Sequence, residues 1–532
     1  AAPAARRGSL GAGSSGSRGP APIEEFETPD FGVTILGAAD GMSPDDTTAG
    51  FVLWMRGRGI LVDPPAHSAH YLRENGIASR KITHVILTHC HADHDAGTFQ
   101  KILMEGRVTV MTTKTIMASF VRKYALISGM PPEFLSRLFT FENIKISEKV
   151  HFQGGTLCFF YAFHILPCVG FKAELAGKSI IYSADTHYSP EGLLKLRETG
   201  VISEARREAL MYHQAITPDS VPDLLLHEAG MPPTHTPAAA LKQLPDSLKR
   251  NLKLIHVGNR SFKANFESEG FERVKVGFEH TLVVPVEPSP HARTAATLQI
   301  LVNVDLFHGA LDLSAAVELL QASRDRTYAP GETICSAGAP LEGLQVLRSG
   351  TVLLERDGVS RQLGYCDYFG EAAVTAEAAA VHADATARAA TRVETIELSR
   401  EALHFLLAKH PALARRVLRR SRLLSGSSAS ASWRAIGANS VFAQFSLSQV
   451  AQLQAVMSEE RVAAGARVSR RGDPVTGVVL VSEGAFRFDE LPADSCAPFT
   501  QGALLVDLFA LFTGQEEQPT PPTPPLGPRP PP

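Results

Sequence analysis

The stretch THCHADHDAG, from Thr88 to Gly97, places three histidines and two aspartates in a few residues of chain. Imidazoles and carboxylates at that density are metal-coordinating chemistry, because polar groups clustered so closely are costly to bury without a cation. His89 and His91 lie two apart at the end of an apolar run, so on an extended chain their side chains point the same way. The turn that follows carries Asp93 and His94 toward a neighbouring point. The quartet can therefore serve two adjacent metals, but it needs ligands from elsewhere to complete both. His164, Asp185 and His256 each close an apolar run, in AFHILP, YSADT and LIHVG, and are the candidates. By contrast His70, His84, His151, His187 and His213 read as ordinary surface or core histidines. Imidazole with carboxylate suits zinc best, with manganese or iron as alternatives.

Such residues have to be held on one rim of a sheet. From Phe31 the chain reads as short apolar runs punctuated by Gly, Asp and Pro. VTILG, GFVLWMRGRGILVDPP and KITHVILTH are strands, and DAGTFQKILMEG is a short helix closed by Gly106. VTVMT, KVHFQGGTLCFFYAFHI, KSIIYSADT, DLLLHEAG and LKLIHVGN follow, and all but the first carry a coordinating or acidic residue at or near the end. The alternation runs to about Val286, and a Pro-, Ser- and Thr-rich linker covers 287–300. Beyond it Gly331, Gly338, Pro340, Gly343 and Gly350 recur as Gly465, Gly472, Pro474, Gly477 and Gly484, each shifted by 134 residues as from 331 to 465. One constant offset for turn residues means two copies of a Gly-punctuated β unit, over 301–425 and 433–514. A basic amphipathic helical stretch, SREALHFLLAKHPALARRVLRRSRLL, runs between them, and residues 515–532 form a Pro-rich tail.

The 532 residues are enough for several cores, and 44% hydrophobic with 20% charged is the balance of an ordinary soluble protein. Fifty-two basic residues against 55 acidic ones give a global field that argues neither for nor against a polyanionic partner, and no basic excess of the kind a strong nucleic-acid binder carries. Six scattered cysteines without a CxxC pair fit reduced thiols in a cytoplasmic compartment. No stretch approaches the ~18 apolar residues of a membrane span. Residues 1–30 read as a disordered Ala/Gly/Ser-rich extension, with an organellar transit peptide as the alternative. The chain opens on Ala, as a fragment of a longer protein would.

HCHADH resembles the HxHxDH motif of the metallo-β-lactamase superfamily, and the later His, Asp and His come in that superfamily's order. The resemblance spans residues 31–286 and implies an α/β fold, the αββα sandwich. It implies that His89, His91 and His164 hold one metal, that Asp93, His94 and His256 hold the other, and that Asp185 bridges them. Two metals ~3.5–4 Å apart activate water and clamp the attacking and leaving oxygens of a displacement at phosphorus. Cys90, between two ligands but on the opposite side of the strand, is a core thiol.

LLLHEAG resembles the HEAT motif of the ribonuclease Z branch, with Gly230 in place of Thr. PPTHTP then puts His235 about where that branch keeps its proton-donating histidine. The resemblance implies that His235 protonates the leaving oxygen and Glu228 orients it, making Asp93, Glu228 and His235 the candidate catalytic residues. The two β units resemble cyclic-nucleotide-binding β-rolls, the second degenerate or truncated. In the first, YFGEAAV followed by HADATARA is similar to the phosphate-binding cassette, with Gly370, Glu371, Thr386 and Arg388 as candidate nucleotide-binding residues. Ala383 stands where the family keeps an arginine, which leaves two alternatives: Arg388 or His382 substitutes for it, or the site is weak or dead. A hydrolase of this kind ahead of such units resembles cyclic-nucleotide phosphodiesterases, for which cyclic AMP or cyclic GMP is both substrate and effector. The alternatives are a ribonuclease Z-like nuclease and a cyclic-nucleotide sensor with a scaffold hydrolase domain.

Overall fold

The computed structural model describes residues 26–505 other than 45, 106–107, 212–220, 232, 376–380, 425–426, 446, 469, 471–476 and 488–496. His213, Gly106, Gly472, the extension through residue 25 and the Pro-rich tail lie outside them. None of the described helices is long and apolar enough to cross a membrane.

The first half is built on thirteen strands: β1 Phe31–Gly37, β2 Gly50–Met55, β3 Arg58–Val62, β4 Ile82–Ile86, β5 Val108–Thr112, β6 Phe139–Asn143, β7 Lys149–Phe152, β8 Gly155–Ala162, β9 Cys168–Leu175, β10 Lys178–Tyr182, β11 Leu224–Glu228, β12 Leu252–Ile255 and β13 Leu282–Val283. They form two sheets, ordered β13-β1-β2-β3-β4-β5-β6 and β12-β11-β10-β9-β8-β7. Side-chain parity divides each strand of the second sheet between two cores. Ile180, Leu224, Leu226 and Ile255 face the first sheet and join its core. Ile181, Leu225, Leu252 and Leu254 turn the other way, against Leu241, Phe262 and Phe266 of the covering helices. The helix Lys114–Ser128 packs Ile116, Met117, Phe120 and Tyr124 onto the main core. The result is the expected αββα sandwich. The helix after β4 begins at Ala92, earlier than the DAG expected to open it, with His91 as its cap residue.

In the second half β14 Ser323–Tyr328, β15 Thr333–Cys335, β16 Gly343–Ser349, β17 Val352–Arg356, β18 Val359–Leu363, β19 Tyr368–Phe369, β20 Thr386–Ala389 and β21 Val393–Ser399 form a roll of two four-stranded sheets, β14-β21-β16-β19 and β15-β20-β17-β18. The stretch expected as a linker contains the helix Ala292–Asn303, which begins after the last proline of PVEPSP and buries Ile300 and Leu301 in the roll's core. The boundary expected at 433 falls within the helix Ser427–Ala438. Trp433 and Ile436 of that helix, with Leu447 and Val450 of the next, pack onto the first roll. The second copy contributes one two-stranded sheet among the described residues, β22 Val479–Leu480 with β23 Leu504–Leu505. Gly465 and Gly484 take positive φ, as Gly331 and Gly350 do.

The halves touch through Arg58, which opens β3, and through Arg80 and Lys81, just ahead of β4. Arg80 Nη1 donates to the Cys366 carbonyl oxygen at 2.6 Å, and its Nη2 lies 3.3 Å from Asp367 Oδ1. Arg58 Nη1 donates to the Tyr365 hydroxyl at 3.2 Å, and Lys81 Nζ sits 5.4 Å from the centre of that ring. The clamped turn, 364–367, leads directly into β19 and Gly370.

Candidate metal centre

Every candidate ligand of the first half follows the end of a strand on the same rim of the sandwich. His89, His91, Asp93 and His94 come after β4, His164 after β8, Asp185 after β10 and His256 after β12. The structure brings all seven together. His91 Nδ1 lies 3.0 Å from His89 Nε2 and 3.2 Å from His164 Nε2. Asp93 Oδ2 lies 3.4 Å from Nε2 of both His94 and His256. Asp185 Oδ2 joins the groups, at 3.5 Å from His94, 3.6 Å from His89 and His256, and 3.9 Å from His164.

These residues fit a divalent cation at each of two points. Imidazole nitrogens 3.0 Å apart repel through their lone pairs unless a proton or a metal lies between them. His94 Nε2 and Asp185 Oδ1 are buried without a hydrogen-bond partner. Burial, helped by neighbouring imidazoles, pushes His89 well below the ordinary histidine pKa and also lowers His91 and His164, so all three are neutral and keep a lone pair. Around His94 burial is outweighed by the carboxylates of Asp185, Asp63 and Asp93, which hold its pKa well above the ordinary value. Burial also opposes ionisation of Asp185 and Asp93, yet the surrounding histidines hold both carboxylates well below the usual range.

Asp63, at the end of β3, orients two of the histidines and was not among the expected site residues. Its Oδ2 lies 3.2 Å from His94 Nδ1 and accepts from the Thr88 hydroxyl at 2.5 Å, and that hydroxyl is 3.0 Å from His89 Nδ1. With Nδ1 of both rings engaged, Nε2 is left to face the centre. The available signal was ILVDPP, an acid closing an apolar run like the other ligands. Cys90 turns away, its thiol donating to the Ile116 carbonyl, and burial pushes its pKa up to about 12.

Glu228 and His235 flank the cluster. The Glu228 carboxylate accepts from Gly230 N at 2.8 Å and Thr236 N at 2.7 Å, and its Oε2 is 3.1 Å from His235 Nδ1. His235 Nδ1 is also 3.9 Å from Asp185 Oδ2. Burial works against a charged His235, but the hydrogen bond to Glu228 and that carboxylate's charge leave its pKa raised. Gly230 makes the arrangement possible, since a Cβ there would stand 2.7 Å from the His235 ring.

In the β-roll the structure brings Gly370 and Glu371 to a narrow recess and leaves Thr386 and Arg388 out of it. On β20 the residues at 385, 387 and 389 face inward, so Thr386 and Arg388 take the other face, where Thr386 Oγ1 accepts from Ala337 N and Arg388 is exposed. His382 is exposed as well. Gly370 has φ 88°, and a Cβ there would meet the Gly343 carbonyl oxygen at 2.5 Å.

Residues 31–276 match the family model "Anti-Pycsar protein Apyc1", and residues 325–410 match "Cyclic nucleotide-binding domain". The chain is 34% identical over 488 residues to the cGMP-dependent 3',5'-cGMP phosphodiesterase A of Dictyostelium discoideum, covering 92% of this chain and 54% of that protein. It is 33% identical over 337 residues to the cAMP/cGMP-dependent 3',5'-cAMP/cGMP phosphodiesterase B of the same organism, covering 62% of this chain and 30% of that protein. The chain thus spans about half the length of the first of these relatives and less of the second. Among solved structures, the metallo-beta-lactamase fold protein YhfI of Bacillus subtilis aligns at 16% identity with a TM-score of 0.34, covering 47% of this chain and 97% of that one.

Proposed function

Starting from an αββα metallo-β-lactamase fold joined to a cyclic-nucleotide-binding β-roll, we propose that the chain hydrolyses 3′,5′-cyclic nucleotides to 5′-nucleotides and is regulated by cyclic nucleotide at its C-terminal half. The observation that carries the reading is Asp185 Oδ2, set between two groups of ligands and 3.9 Å from a histidine that Glu228 keeps supplied with a proton. His89, His91 and His164 would hold one divalent ion, Asp93, His94 and His256 the other, and Asp185 both. The imidazole-rich donor set favours zinc. When bound, the ions supply Lewis-acid polarisation of the phosphoryl group and activation of water at neutral pH.

The chain's own residues then divide the remaining work. Attack of water on phosphorus breaks the bond to the 3′ oxygen, and that alkoxide needs a proton as it leaves. His235 is the donor. Glu228 fixes the ring through Nδ1. The relatives' printed names, with cyclic nucleotide both as substrate and as the agent on which activity depends, support the assignment of substrate class and of effector.

The test is hydrolysis by purified, metal-loaded protein of cyclic AMP, cyclic GMP and a precursor transfer RNA. Turnover of either cyclic nucleotide with none of the RNA is expected. Cleavage of the RNA alone would replace this reading with a processing nuclease.

A further inference from the structure

The β-roll buries Arg356 and Arg361 beside Trp433. Arg356 ends β17 inside the recess that Gly370, Glu371, Ala383, Asp384 and Trp433 also line. Its side chain is 7% exposed, with Nη1 3.2 Å from Asp384 Oδ2 at the mouth of the recess and Nε 3.6 Å from Asp357. Arg361 stands on the same face of the β17–β18 hairpin, because Leu354 pairs with Arg361 and Arg356 with Val359. Arg361 donates to the carbonyl oxygens of Phe445 at 3.1 Å and Ala443 at 3.4 Å. Its Nε and Nη2 are buried without an acceptor among the described residues, and burial pulls its pKa down to about 10. Both guanidiniums pack on Trp433, at 5.5 Å and 4.7 Å from the ring centre. The indole N–H of that ring is buried without an acceptor too.

We infer that this recess takes the phosphate of a cyclic nucleotide on Arg356, the ligand's charge replacing that of Asp384. The inference rests on reading the C-terminal half as an effector domain. Ala383 lines the recess without offering a charge, and Arg388 and His382 face elsewhere. Arg356 comes from a strand on which the motif gives no reason to look. Asp384 is 41% exposed, so it regains solvent on release. A phosphate meeting a buried guanidinium gains charge-assisted, bidentate hydrogen bonds. The exchange is anion for anion, which excludes a neutral nucleoside from driving it.

The experiment titrates the full chain, carrying Asp185→Asn so that nucleotide is not consumed, with cyclic GMP, cyclic AMP and guanosine. Adding Arg356→Gln should weaken cyclic-nucleotide binding by about tenfold or more and leave guanosine within about twofold, since only the phosphate contact is lost. Adding Asp384→Asn instead should tighten cyclic-nucleotide binding several-fold, a gain that misfolding cannot produce. Arg356→Gln weakening both ligands alike, or weakening neither, would overturn the assignment, as would Asp384→Asn failing to tighten. Absence of saturable cyclic-nucleotide binding in the parent would remove the effector reading along with it. Hydrolysis by the unmutated chain judges the catalytic reading separately.

Discussion

Glu228 and His235 form a pair in which the carboxylate, held by two backbone N–H groups, sets its Oε2 3.1 Å from the imidazole Nδ1. In the proposed mechanism its part is to hold the ring and its proton. His235→Ala should therefore lower kcat on cyclic nucleotides by ~10²–10⁴. Metal content should stay the same. A nitrophenyl phosphodiester, whose leaving group needs no proton, should recover most of the loss. Equal damage on both substrates would assign His235 to structure.

Asp185 contacts histidines of both ligand groups. Elemental analysis of active protein should find two divalent metals per chain, and Asp185→Ala should cost at least one of them together with activity. Metal affinity should fall on acidification, because imidazole ligands must lose their protons to coordinate. A fully active preparation with one metal per chain would refute the dinuclear assignment.

The contact between halves gives a test of regulation that leaves both ligand sites intact. A tenfold stimulation corresponds to only ~1.4 kcal/mol of coupling. A hydrogen bond to a charged donor is worth ~1.5–3 kcal/mol, and Arg58 makes one to the Tyr365 hydroxyl. Tyr365→Phe should cut stimulation by cyclic nucleotide several-fold without reducing effector affinity, and Arg80→Ala should cut it further. Full stimulation in both variants would show that the contact carries no signal.

Glu371 sets a pH dependence. Burial and the facing Asp384 push its carboxyl up to about 7 against the relief that Arg356 gives, and Cys335 and Tyr368 feel its charge in turn. A ribose hydroxyl donates better to the ionised form, so effector affinity should rise about tenfold from pH 6 to pH 8 as that form fills. Stability runs the other way. The folded carboxyl holds its proton more tightly than the unfolded one, so stability is lost as pH climbs from 4.5 to about 7. Glu371→Gln should flatten both curves, read by titration and by thermal melting.

The metal-ligand quartet was legible because its residues are contiguous, and His164, Asp185 and His256 because each closes an apolar run that had to be a strand. Asp63 carried the same signal, but it lies outside the histidine motif, within a stretch read only as strand. What the sequence could not convey was parity and partnership. Thr386 and Arg388 sit within the expected cassette, yet strand alternation turns them away from the recess. Arg356 in LLERDG reads as the polar end of a hairpin, and only the fold brings it to Asp384 and Trp433. The helix Ala292–Asn303 was hidden for a related reason, since the prolines ahead of it mark a linker and its apolar stripe has no visible partner until the roll is in place.

Arg58 and Lys81 are nearly inaccessible in the whole chain, at 5% and 9% exposed, and Tyr365 packs beside both. Excising residues 31–276 would strip that cover from Arg58, which opens β3, and from Lys81, which leads into β4 and the ligand loop beyond it. The turnover of such a fragment would describe a different molecule, not the resting state of this one. A fair zero for measuring the proposed activation is the intact polypeptide without nucleotide, because the β-roll forms part of the cover over Arg58 and Lys81.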